Sequence, residues 1–571
     1  MHSWILALFF FSAAPRLCWA EDKPPQAPVH EVQDDYFGTK ISDPYRWMEN
    51  IKQDPEAQKW LKGQADFTRQ KLDSMPGYNK LKARITQLVN SEPATVRVPQ
   101  ILPNGNIFYL KTEANQNTAK LCFRASRSAD EVTLVDPDDF QKRDGKPYAI
   151  NYFVPSWDGS HVVFGISTQG SEEAVIHVTE TATAKETGDV IPRCPWSQVS
   201  WFPDGKKFLY TQLEEMKPGQ PCTEKYFGIK TRLHKLGSDP DKDEIYLATG
   251  ANPTVQFTPQ QFAWMQIIRG SDVCIVSVIN FVSNELAAYT TDVGSLDPNS
   301  QWVKLCDFED QVTGLGHDGS NFYFLTHKDA PRFKIEAATL RDGKLADRHV
   351  VIPESEKVIQ QLISAKDGIY YTATDGVDCR VYKVGQSGVG IEAPLPYQGW
   401  ASFSDSEDPP HDDLQQPGVL ITLTSWTRAR AFYQYDAESA TTKSVALCPT
   451  GPYDTPTDLV SEEIKIPSYD GTPIPVSIVG PKEFRKDGTH AVWLEGYGSY
   501  GFIDQPFFWP VTLAFLEQDI WYVTAHLRGG GVYGDAWHRA GMKATKPNTW
   551  KDFIACGEFI VKNGMPPRIG S

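Results

Sequence analysis

A chain of 571 residues with a formal net charge of −16 is too long for one ordinary hydrophobic core, so two or more domains are expected. Its 40% apolar, 12% aromatic and 22% charged residues are a globular composition and exclude a disordered, collagenous or coiled-coil chain. The acidic balance argues against nucleic acid or an anionic membrane as partner, since both require a basic surface.

Residues 4–14 form an apolar run rich in Leu, Phe and Ala, followed by Pro15-Arg16-Leu17-Cys18-Trp19-Ala20. Cys18 and Ala20 set small side chains before a cut at Glu21, so residues 1–20 read as a signal peptide. The run is short for a bilayer helix, and no later stretch reaches the about eighteen apolar residues a span needs. The expected location is the periplasm of a bacterium or the secretory route of a eukaryote, with no membrane attachment once the signal is gone. Of nine cysteines, Cys18 would leave with the signal, and the rest are scattered without a CxxC pair. Buried free thiols are expected rather than a zinc site or a disulfide framework, with one or two bridges left open. The histidines form no HExxH. No metal and no organic cofactor is expected.

Residues 21–90 read as a helical segment. Asp54 is placed as an N-cap before Pro55, and helix-forming residues run over 57–72. A second helical stretch covers 79–89. Over residues 91–450 the texture changes to short aromatic and β-branched runs, each preceded by a turn glycine. The glycines are Gly105, Gly159, Gly205, Gly270, Gly319, Gly368 and Gly418, separated by 54, 46, 65, 49, 49 and 50 residues. A period near fifty with several short strands per unit predicts a β-propeller of seven blades. A sandwich with frequent hairpins would also carry Asp-Gly turns, but not at this near-constant spacing. The long interval calls for an insertion, placed at residues 214–242.

Residues 451–571 form a third region. Strands are predicted at 463–466, 474–479, 490–494 and 520–525, with helices over 507–516 and 550–562, the latter capped by Asn548-Thr549. Alternation of strand and helix predicts an α/β domain with a largely parallel sheet. Two glycine clusters follow strands: Gly496-Tyr497-Gly498-Ser499-Tyr500-Gly501 and Arg528-Gly529-Gly530-Gly531-Val532-Tyr533-Gly534. Strand ends of this kind are where α/β sheets place their sites. The first cluster matches GxGxxG literally, yet no acid follows on a second strand as a dinucleotide site requires.

The chain resembles the prolyl oligopeptidase family of serine peptidases over nearly all of its mature length. Asp43-Pro44-Tyr45-Arg46-Trp47-Met48-Glu49 carries the resemblance, as do both glycine clusters, the second extended through Asp535-Ala536-Trp537-His538. Lys546-Pro547-Asn548-Thr549-Trp550-Lys551-Asp552-Phe553 continues it. The resemblance implies an α/β-hydrolase domain capped by a seven-bladed propeller, with residues 21–90 packing back on the hydrolase. It implies cleavage of short peptides, usually after proline, by acyl transfer through a Ser/Asp/His triad, and a monomer is expected. Tyr497 falls on the position whose hydroxyl donates to the oxyanion. Tyr500 falls on the aromatic position of the pocket for the residue before the cut, and Phe502 on a neighbouring apolar pocket position.

The nucleophile of such an enzyme sits on a G-x-S-x-G elbow. No serine of the sequence fits: Ser499 follows Tyr497 at two residues, and Ser387 has Gly385 before it but Val389 after it. Asp504, Asp535, Asp552, His526 and His538 precede the place where the elbow belongs, against the order Ser, acid, His. The strand beginning at Arg568 and the serine at Ser571 lie just short of it. A fragment is therefore expected, with an incomplete hydrolase domain and no peptidase activity of these residues alone. Two rival readings remain. One is a sister oligopeptidase that cuts after Lys or Arg, whose paired acids after the first cluster are reduced here to Asp504. The other is a non-catalytic propeller that binds peptides.

Overall fold

Each of the seven repeat glycines turns the chain from the first to the second strand of a four-stranded sheet in the computed structural model, which describes residues 23–385, 388–403, 412–482 and 490–563. All seven hold positive φ, from +61° at Gly205 to +130° at Gly368. A residue with a Cβ is strained there, which is why glycine recurs. Asp or Asn precedes several of them for a matching reason. The side chains of Asn104, Asp158, Asp204 and Asp318 each accept the amide two residues on and close the turn.

Seven antiparallel meanders result, spanning residues 94–135, 148–191, 199–247, 262–306, 312–352, 358–392 and 400–444. They are the blades of a propeller. An apolar cluster fills each interface between successive blades, such as Phe153, Phe164 and Phe108 between blades 1 and 2. Blades 7 and 1 share no strand. Their seam is closed by Val96, Ile107 and Tyr109 against Phe432, Val445 and Leu447. Arg430 adds a hydrogen bond to the Val96 carbonyl at 3.3 Å. The insertion is shorter than predicted: Lys230–Lys235 is the third strand of blade 3, and the extra chain lies before it, in the connection after Lys207–Gln212.

Two compact units divide at residue 86. In the first, Pro55–Ser74 is a helix whose N-cap Asp54 accepts the amides of Glu56 and Ala57. A hairpin pairs Val32–Tyr36 with Thr39–Asp43. Arg46 ties this hairpin to the next turn through Asp34, Asp43 and Glu49. Trp47 packs edge-on against Trp60 at 5.7 Å. The Asp43–Glu49 motif therefore fastens its own unit.

After the propeller comes a four-stranded sheet. Its order is Leu459–Pro467, Pro473–Pro481, Ile520–Ala525, Ala491–Glu495. Only the last two neighbours are parallel. The prediction of a largely parallel sheet is thus corrected for the described strands: Asp470-Gly471 makes a hairpin, which forces an antiparallel pair. The predicted helix over 507–516 is also corrected. Only Pro510–Thr512 and Leu513–Leu516 are helical, because Pro506 and Pro510 keep the chain before them extended. Pro547–Lys562 is a helix, begun by proline at its first position and without a side-chain cap. Cys556 and Ile560 pack it on Val476, Trp521 and Val523.

The propeller meets this α/β part at several points. Asp535 N–H donates to Pro331 O at 2.8 Å. His327 lies between Glu285 at 3.2 Å and Asp535 at 3.5 Å. Asn284 donates to Tyr500 O at 3.2 Å. The eight described cysteines are free thiols, six of them buried. No described helix is long and apolar enough to cross a membrane. Residues 1–20, Ser387, Arg568 and Ser571 lie outside the described residues.

Candidate active site

The two glycine clusters leave neighbouring strands of the sheet and pack back to back. Gly501 N–H donates to Gly529 O at 3.0 Å, and Gly531 N–H donates to Phe502 O at 3.1 Å. Contact this close leaves no room for side chains. A Cβ on Gly529 would overlap Gly498 O, and one on Gly531 would overlap Gly501 O. The glycines serve loop-on-loop packing, which explains the GxGxxG spacing without a dinucleotide.

Charged groups that single-residue reasoning missed hold this pair of loops. Arg528 is buried and forms a two-pronged pair with Asp552, Nε to Oδ2 at 2.8 Å and Nη2 to Oδ1 at 2.5 Å. Its Nη1 reaches Asp470 at 2.7 Å and holds that carboxyl down at about 2. Asp552 also accepts the Arg528 amide and the Ser468 hydroxyl. Lys546 donates from Nζ to Gly498 O at 2.6 Å and to Ser499 Oγ at 2.7 Å. Partial burial lowers its pKa. Thr549, expected as a cap, instead donates to Arg528 O at 2.7 Å. Ser499 is thus a fastening point of the loop.

Tyr497 and Phe502 are brought together on the exposed side of this framework, and Tyr500 stands apart from them on the same loop. Tyr497 and Phe502 meet edge to face, with centroids 5.8 Å apart. Tyr497 and Phe502 are each about half exposed, at 52% and 53%. Tyr500 is exposed and holds φ at +56°. Asp504 accepts the Tyr497 amide at 3.4 Å, and burial pushes its carboxyl up to about 6. Phe502 lines a cavity of about 930 Å³ together with Ile503, Phe507 and Trp509. The opposite wall comes from blades 1, 6 and 7, including Gln360 and Thr424. Of the three sequence-predicted residues only Phe502 lines it; Tyr497 touches Phe502 from outside the lining, and Tyr500 is not part of it.

His526 is buried, shares a 2.9 Å hydrogen bond with Ser477 and is pushed down to about 4 by burial. Asp535 is engaged by His327 and Arg539. Among the described residues nothing hydrogen-bonds His526 Nδ1, so no acid orients the imidazole towards Ser477 as a triad requires. Among the described residues no cluster of His, Cys, Asp or Glu has the arrangement of a metal site.

Comparison with known proteins matches this framework. A family model described as "Prolyl oligopeptidase, N-terminal beta-propeller domain" covers residues 24–446. One described as "Prolyl oligopeptidase family" covers residues 507–566. Prolyl endopeptidase of Elizabethkingia meningoseptica is 27% identical over 565 residues, 98% of this chain and 76% of that protein. Prolyl oligopeptidase A of Amanita bisporigera is 24% identical over 590 residues, 95% of this chain and 74% of that protein. A structure from a mechanistic study of two prolyl endopeptidases superposes with a TM-score of 0.82 at 27% identity, over 95% of this chain and 77% of that one. Prolyl oligopeptidase B of Galerina marginata, bound to a 25mer macrocyclization substrate, shares the fold with a TM-score of 0.81 at 22% identity, covering 95% and 77% of the two chains.

Proposed function

The chain belongs to the prolyl oligopeptidase family, and on that premise we propose that it serves the cleavage of short peptides after proline. One observation carries the preference for proline. The only acid just past the first glycine cluster, Asp504, accepts the Tyr497 amide, and burial disfavours its charge and pushes it up to about 6. A cationic side chain would find one buried carboxylate there in place of a pair of acids, whereas a prolyl ring finds Phe502 and the edge of Tyr497. This weighs against the sister reading of cleavage after Lys or Arg.

In this reading the Tyr497 hydroxyl donates to the oxygen that becomes negative as the scissile carbonyl turns tetrahedral. A phenol is neutral at pH 7 and donates one directed hydrogen bond, so it stabilises that oxygen without reorganisation. Lys546, Thr549 and Arg528 fix the loop that carries it. The propeller covers the cavity and limits access to short, flexible peptides. The sequence holds no G-x-S-x-G, so the acyl-forming serine with its Asp and His is not among these residues. The 571 residues alone therefore bind peptide without turning it over. Residues 1–20 support export to the periplasm or the secretory route, and the protein works as a monomer.

The test is calorimetric binding of a short proline-containing peptide against its arginine analogue, with a chromogenic assay in parallel. Tighter binding of the proline peptide, weakened at least about tenfold by Phe502→Ala, is expected for loss of a buried aromatic contact. Equal or tighter arginine binding sinks the proline assignment. Turnover by this chain sinks the claim of inactivity.

A further inference from the structure

The first strand of each blade lines the propeller's central channel, and all seven run in the same direction. At their starts, Thr95, Gln360 and Trp400 face the large cavity and the α/β part. At their far ends, Ile101, Pro155, Ile267 and Ala365 surround a second cavity of about 410 Å³ inside the channel. Asp412, Asp413 and Gln416 also line this second cavity. They come from the blade 7 connection between its first strand, Trp400–Ser402, and its second, Val419–Ser425. Such a connection would be expected to stay over its own blade.

Instead its residues 412–416 cross the channel. Asp413 pairs as a parallel bridge with Ala365 of blade 6 and with Arg269 of blade 4. Asp413 N–H donates to Ser364 O at 3.1 Å, and Leu414 N–H to Arg269 O at 2.9 Å. Lys366 N–H donates to Gln416 O at 3.0 Å, and Ser364 N–H to the Asp412 carboxylate at 2.7 Å. The Arg269 guanidinium completes the crossing. It sits 3.5 Å from Asp413 and donates to Pro155 O of blade 2 at 3.3 Å. Both members of the pair are largely buried, at 16% and 18% side-chain exposure. Leu414 packs on the apolar cluster between blades 4 and 5. Gly270 lies so close to Leu414 and Gln415 that a Cβ there would collide with them.

We propose that residues 412–416 are a plug built into the far mouth of the propeller channel. The channel is then a blind well rather than a through-tunnel. Anything that enters or leaves the large cavity passes on the side of the α/β part, and the well receives only the free end of a bound chain. The inference rests on the propeller alone and stands whether or not the peptidase reading holds.

Two measurements on the full chain test it. The first is amide hydrogen exchange of the unsubstituted protein. Asp413 and Leu414 are expected to be protected like the inner-strand amides of residues 362–365, since their N–H groups are bonded to strand ends. Exchange at the rate of a free loop overturns the plug. The second uses Gln266→Cys, which places a thiol in the channel wall, with labelling read by mass spectrometry on its own peptide. A small maleimide should label it with or without the plug. A maleimide carrying a bulky polymer should label it at least about tenfold faster when Arg269→Ala and Asp413→Ala are added, since the seated state then opens more often. Equal bulky labelling with and without those substitutions overturns the proposal. If the substituted chain fails to fold, the exchange measurement decides alone.

Discussion

The propeller and the α/β part reach order by different physical means. Each blade interface is a strip of apolar side chains, and the same solution recurs around the ring. Loss of one contact there leaves the neighbours in place. The glycine loops of the α/β part depend on one buried guanidinium, one lysine and a threonine hydroxyl. Each is joined to partners far off in sequence, and none is repeated. The lesson is that the scaffold is redundant while the site is not.

The sharpest way to break that contrast is to remove one partner of the buried pair. Asp552→Ala strands Arg528 and is expected to destabilise the fold by about 3–5 kcal/mol in urea unfolding. A loss under about 1 kcal/mol would show that the loops stand without the pair. Next comes a matched pair of glycine substitutions. Gly529→Ala adds overlap with Gly498 O to a φ of +98° and should cost about 2–5 kcal/mol. Gly319→Ala in a blade turn has a φ of +93° and open space around it, so about 1–2 kcal/mol is expected. Equal effects would erase the distinction between site and scaffold.

Buried charge inside the propeller gives a pH signature. His234 is fully buried between Asp189 at 2.9 Å and Asp243 at 2.8 Å. Burial opposes its charge, but the two carboxylates win and raise its pKa to about 9 from 6.5. A histidine raised in the fold stabilises fully below its unfolded pKa and loses that contribution as pH rises through the folded value. Stability should therefore fall between pH 6.5 and about 9. His327, raised to about 9 as well, acts in the same window. His234→Gln should flatten this limb in melts taken across the range, and an unchanged limb would refute the assignment. The smallest effect is expected at an exposed pair. Lys304→Ala, opposite Asp307, should move stability by no more than about 0.5 kcal/mol.

What the sequence revealed follows the same division. The seven glycines were legible because a turn at positive φ is a local demand that one residue type satisfies. The order of the blades followed from their spacing. The glycine clusters were legible as loops after strands. Their fastening was not, because Asp470 and Asp552 lie 58 and 24 residues from Arg528. No local pattern links such positions. Asn-Thr before a helix resembles a cap, but the Thr549 hydroxyl serves a tertiary bond. A helix over 507–516 overreaches because Pro506 and Pro510 keep the stretch before Leu513 extended. The crossing of residues 412–416 left no trace in the sequence, because Asp412 and Asp413 find their partners Ser364 and Arg269 at 48 and 144 residues' distance.

The central claim is that Phe502 and Tyr497 form the pocket for a prolyl residue and its carbonyl. It is tested most directly by a crystal structure of this chain with a short proline-containing peptide. The account predicts the prolyl ring in contact with Phe502, within about 4.5 Å, and its carbonyl within hydrogen-bond reach of the Tyr497 hydroxyl, about 3 Å. A peptide lodged elsewhere in the propeller, with Tyr497 and Phe502 untouched, would contradict it.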